Sequence, residues 1–69
     1  MIIMIKKLRT EIGLTQAELG KEIGVSRQTL NAIENGRYIP SLDIAYKITE
    51  ALNKDFVEEI FIKDEFDDK

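Results

Sequence analysis

Gln16 to Asn35, QAELGKEIGVSRQTLNAIEN, is the stretch whose reading decides the fold of this 69-residue chain. Leu19 and Ile23 stand four apart, Leu30 and Ile33 three apart, and Val25 lies between the pairs, so a helical period holds in each half while its phase shifts across Gly24. That shift predicts two short helices whose apolar faces meet over one small core. Gly24 can take the positive φ that ends the first helix, and Ser26 can cap the second. Gly20 lets the two helices approach closely. The expected local structure is a helix, a tight turn and a helix.

Outward from this centre the same punctuation recurs. Ile5, Leu8 and Ile12 predict a helix from about Met4, with Lys6, Lys7, Arg9 and Glu11 on its outer side and Gly13 ending it. Thr15 followed by Glu18 is a capping box for the helix that Gln16 begins. Asn35 and Gly36 stop the next one. Pro40 disfavours helix at Ile39, and Ser41 then caps a fourth helix. Its stripe is Leu42, Ala45, Ile48, Thr49 and Leu52, flanked by Ile44 and Tyr46, and Asn53 ends it in a left-handed conformation. Asp55 with Glu58 predicts a fifth, short helix from Phe56 to Ile60, with Phe56 and Ile60 facing the core and Val57 beside them. Phe61, Ile62 and Phe66 are left with no partner in their own chain, the usual mark of an interface. Met1 to Ile3 and Phe61 to Lys63 read either as frayed ends or as short strands that pair with each other or across a dimer. The fold class is all-α with five helices, in one domain over residues 1–63. Residues 64–69 are an acidic, disordered tail.

Composition narrows the function. With neither Cys nor His there is no disulfide, no ordinary zinc site and no general base suited to neutral pH. No nucleophile elbow or phosphate-binding Gly-Lys loop appears, so an enzyme and a bound cofactor are not expected. The apolar start MIIMI is five residues long and is followed by Lys6 and Lys7, too short for a signal peptide or a membrane span. A cytoplasmic protein is expected. The net charge of -3 argues against nucleic acid only until its distribution is read. Residues 1–54 carry eight basic groups against six acidic, a net of +2, whereas residues 55–69 carry two against seven, a net of -5. The acidic segment should face away from any phosphate.

LTQAELGKEIGVSRQTLNAIENGRYIPS (14–41) and ALNKDFVEEIF (51–61) resemble the Cro/repressor (Xre) family of prokaryotic DNA-binding domains, over Ile5 to about Phe61. Gly20 departs from the Ala usual there and should cost its helix roughly 0.5 to 1 kcal/mol. The resemblance implies a lambda-repressor-like fold whose second helix of the motif enters the major groove of double-stranded DNA. On that helix Arg27, Gln28, Thr29, Asn31 and Ala32 lie off the Leu30 and Ile33 face and would meet base edges. Gln28 and Arg27 lead, because Gln pairs with adenine and Arg with guanine, while Ala32 reaches only a thymine methyl. For Arg27, a phosphate contact competes with base reading. Thr15, Gln16, Ser26, Asn35, Arg37 and Tyr38 are the expected phosphate contacts; the alternatives are a solvated Gln16 and a Tyr38 that packs its loop. Glu34 is expected in a structural hydrogen bond or salt bridge. A single recognition helix reads few base pairs, so a homodimer on an inverted-repeat operator is expected, joined through Ile2, Ile3, Phe61 and Ile62. The resulting function is a repressor-type transcriptional regulator of the cytoplasm and its nucleoid. The alternative is an antitoxin-like interaction module whose C-terminal apolar cluster holds a partner protein.

Overall fold

The computed structural model describes residues 1–64, with elements in the order β1 (Ile2–Ile3), α1 (Ile5–Glu11), α2 (Gln16–Ile23), α3 (Arg27–Glu34), α4 (Leu42–Ala51), a 3₁₀ turn (Val57–Glu59) and β2 (Phe61–Ile62). Local chemistry sets the boundaries. The Thr15 hydroxyl accepts from the Glu18 N–H at 3.0 Å while the Glu18 carboxylate accepts from the Thr15 N–H at 2.8 Å, so the capping box of α2 is closed on both sides. Ser26 and Ser41 cap α3 and α4 through the N–H groups of Thr29 and Ile44. At the other ends Gly13, Gly36 and Asn53 all have positive φ, and the N–H groups at and after each of them return to the last helical carbonyls.

Between α2 and α3 the turn is unusually tight. Gly24 sits at φ 80° and ends α2, after which the Val25 N–H reaches back to the Gly20 carbonyl at 2.9 Å. A Cβ added to Gly20 would lie 2.9 Å from the Val25 carbonyl oxygen, closer than a carbon can sit. The helix propensity that Gly20 forgoes is therefore offset by the approach it permits.

The core is made where α2 packs on α3 and α4. Ile5, Leu19, Leu30, Ile33, Ile48 and Ile60 are fully buried, with Ile23 and Leu52 nearly so. Each contributes on the order of 1.5 to 3 kcal/mol of transfer free energy. Thr49 is buried with them and donates its hydroxyl to the Ala45 carbonyl at 2.8 Å, which satisfies it within α4.

The two ends of the chain close over this core as an antiparallel pair, Ile2 opposite Ile62 and Ile3 opposite Phe61. The strand reading holds, and the pairing lies inside one chain. Because facing residues share one side of a sheet, Ile3 and Phe61 turn together onto the core while Ile2 and Ile62 are exposed. Phe61 thus has the intramolecular partner that its sequence context did not supply. Phe66 and residues 65–69 of the expected tail lie outside the described residues.

Five other expectations are corrected. There are four α-helices among the described residues: the expected fifth is the single turn Val57–Glu59. Its closing carboxylate is Glu59, which accepts from the N–H groups of Asp55 and Phe56 at 3.0 and 3.1 Å, in place of the Asp55 and Glu58 pair. Phe56, just before that turn, is left 64% exposed. Leu42, at the first helical position of α4, also projects past the core and is 64% exposed. In α1 the roles of two residues are exchanged: Ile12 is 44% exposed, whereas Arg9, expected outside, is only 8% exposed.

Candidate nucleic-acid interface

Helix α3 has two unlike faces. Leu30 and Ile33 are fully buried against α2, whereas Arg27, Gln28 and Asn31 are exposed on the opposite side. Thr29 and Ala32 are half-buried at its margin. On one flank Thr15, Gln16, Arg27, Asn31 and Asn35 line an open groove between α1, the start of α2 and α3. On the other, Gln28, Thr29, Ala32 and Tyr38 line a shallow depression. The ridge of α3 therefore carries the five expected base-reading residues, and the expected backbone contacts Thr15, Gln16 and Asn35 border one flank and Tyr38 the other. Tyr38 and Arg37 are both exposed, on the loop that follows α3.

The hydrogen-bonding capacity of these side chains is unevenly committed. Among the described residues the Gln28 side chain makes no hydrogen bond, so both ends of its amide are open to a base edge. The Asn35 amide is folded back, donating to the Asn31 carbonyl at 2.9 Å and to Asn31 Oδ1 at 3.1 Å. That leaves Asn31 its amide hydrogens as outward donors, and makes Asn35 in this conformation a stop for α3. Ser26 caps α3 and donates its hydroxyl to Thr29 Oγ1 at 2.9 Å, so Ser26 and Thr29 satisfy each other. At the start of α2, the Thr15 N–H hydrogen bond holds the Glu18 carboxyl below its ordinary range, with the Thr15 side chain acting in the same sense.

Behind the surface lies a network that the sequence did not disclose. Arg9 Nε and Nη2 donate to the two carboxylate oxygens of Glu34 at 2.8 and 3.1 Å, and Arg9 Nη1 donates to the Leu14 carbonyl at 3.1 Å. The pair is bidentate and nearly sealed, with side-chain exposures of 10% and 5%. Gln16 Nε2 donates to Glu34 Oε1 at 3.1 Å, and Gln16 Oε1 accepts from Arg27 Nε at 3.4 Å. The salt-bridge reading of Glu34 is borne out, and its partner is Arg9, a residue expected on the outer side of α1. Arg9 follows Ile5 by four residues and so lies on the inward stripe of α1; that spacing is the signal that could have found it.

Comparison with known proteins agrees with this architecture. A family profile described as helix-turn-helix matches residues 5–58. An HTH-type transcriptional regulator of Methanothermobacter thermautotrophicus is 52% identical over 62 residues, covering 90% of each chain. One from Archaeoglobus fulgidus is 48% identical, covering 88% of this chain and 84% of its own length, and one from Bacillus subtilis is 41% identical, covering 88% and 92%. The chain belongs to this helix-turn-helix family.

Proposed function

We propose that this protein is a sequence-specific DNA-binding transcriptional regulator, a homodimeric repressor that places α3 in successive major grooves of an inverted-repeat operator. The observation that carries the reading is the outer face of α3, where Arg27, Gln28 and Asn31 stand exposed on a helix whose inner face is wholly buried. Charged and amide groups held rigidly in that way are suited to base edges. Arg27, Gln28, Thr29, Asn31 and Ala32 meet the bases. Thr15, Gln16, Ser26, Arg37 and Tyr38 follow the phosphates, and Asn35 joins them if its amide turns outward. The three relatives reported above, each named an HTH-type transcriptional regulator, support the same assignment. Such a protein acts in the cytoplasm, at the nucleoid; no helix among the described residues is long and apolar enough to cross a membrane.

Dimerisation is supported by apolar surface that one chain leaves uncovered. Ile2 and Ile62 project from the outer side of the two-stranded sheet. Next to it Met1, Ile39, Pro40, Leu42, Val57 and Phe61 line an apolar groove. The interface expected at Ile2, Ile3, Phe61 and Ile62 is accordingly centred on its exposed members, and Leu42 and Ile39 extend it. The same groove would suit a foreign protein, which is the competing, antitoxin-like reading. Sedimentation of the protein alone and with DNA from its own upstream region separates them. A dimer that binds this DNA more tightly than random sequence is expected. Replacing Leu42 and Ile62 together by Asp should give a folded monomer that has lost the preference. A monomer that binds neither DNA would favour the partner-protein reading.

A further inference from the structure

The network behind α3 does more than join helices. An ionised carboxylate only accepts hydrogen bonds, and Glu34 already takes two from Arg9, in a bidentate grip that fixes both of its oxygens. The third, from Gln16 Nε2, decides which way round the Gln16 amide lies: nitrogen toward Glu34 and oxygen away from it. That oxygen faces Arg27 Nε at 3.4 Å, a long contact but one of the favourable sense. With the amide reversed, its NH₂ group would face the Arg27 Nε–H, donor against donor.

We infer that Glu34, held by Arg9, is a positioning residue for Arg27, acting through the orientation it imposes on Gln16. Nε is the one atom of the Arg27 guanidinium engaged among the described residues, which leaves Nη1 and Nη2 uncommitted as the pair that can meet guanine O6 and N7. Glu34 itself, nearly sealed at 5% side-chain exposure, lies too deep to meet a base. Its effect on base discrimination is therefore confined to whatever Arg27 reads, while any disturbance of the Gln16 phosphate contact lowers affinity alike on all sequences. This rests on the proposed DNA binding.

The test compares binding to an operator selected from random DNA with binding to versions changed at each base pair, for the unmodified protein, Glu34→Gln, Arg27→Ala and the double variant. A Gln at position 34 keeps the shape but can donate as well as accept, so the Gln16 amide loses its fixed sense. Glu34→Gln should weaken discrimination by about three- to tenfold, and only at the positions that Arg27→Ala makes indifferent. In the Arg27→Ala background it should change discrimination no further, because the residue through which it acts is gone. Should Glu34→Gln fail to fold, Arg9→Met with Glu34→Leu removes both charges together and is expected to show the same selective loss. The inference is overturned if discrimination is unchanged, or if it falls equally at all positions or equally without Arg27. A protein with no sequence preference at all would instead overturn the DNA-binding reading itself.

Discussion

Replacing Glu34 by Ala should be among the most damaging single changes this domain can undergo. The carboxylate accepts three hydrogen bonds, two from Arg9 and one from Gln16, and its removal leaves the Arg9 guanidinium with the Leu14 carbonyl alone. Arg9 is 8% exposed, so the stranded charge regains only the water that enters from the groove it lines. Breaking one side of a buried pair costs about 3 to 5 kcal/mol. For a domain of this size each kcal/mol lowers the melting temperature by roughly 4 to 8 °C, so a fall of about 12 to 40 °C is expected. Removing both charges is another matter. Arg9→Met with Glu34→Leu leaves no stranded ion, and its stability should lie within about 1 to 2 kcal/mol of the unmodified protein. Thermal unfolding followed by circular dichroism, with urea titration for the free energies, measures both. If Glu34→Ala costs less than about 1 kcal/mol, or the double variant is as unstable as the single one, the pair is not the buried tie described here.

Three further outcomes follow from particular contacts. Gly20→Ala should gain about 1 kcal/mol of helix propensity but lose about 1 to 3 kcal/mol by crowding the Val25 carbonyl, a net fall in melting temperature; a rise would show that the turn yields easily. Glu18 titrates below its ordinary 4.5, so its cap contributes stability above that value and loses it as pH falls through the lower folded one. The stability gap between the unmodified protein and Glu18→Gln should therefore close on acidification, and a gap independent of pH would refute the assignment. In DNA titrations at several salt concentrations, Gln28→Ala should cost about 1 to 3 kcal/mol per half-site on the selected operator and little on random DNA. Arg37→Ala should weaken both and flatten the salt slope. Equal losses on both DNAs for Gln28→Ala would make it a positioning contact.

The central motif was legible because its boundaries are set by neighbours in sequence. Thr15 with Glu18, Gly24, Ser26 and Gly36 each act over one to four residues, and they delimit Gln16–Ile23 and Arg27–Glu34 as read. Where the deciding partner is distant, the reading failed. Arg9 is charged, and its place inside depends on a carboxylate 25 residues away, so assigning charges outward put Ile12 in its stead. Phe56 and Leu42 share a helical pattern with residues that are buried, but each stands at the edge of its element with no neighbouring element among the described residues to cover it. Phe61 found its cover only through the pairing with Ile3, a contact between the two ends of the chain. Residue type marks Ser26 and Asn35 both as helix-end residues and as phosphate contacts, and only their bonds to Thr29 and Asn31 show how far the first role commits them.

Selection of bound sequences from a random pool of double-stranded DNA, using the unmodified full chain, tests the central claim most directly. A two-fold dimer with one α3 per groove predicts enrichment of an inverted repeat whose half-site centres lie about one helical turn, roughly 34 Å, apart. Enrichment of a single unrepeated half-site, or of nothing above the starting pool, would contradict it.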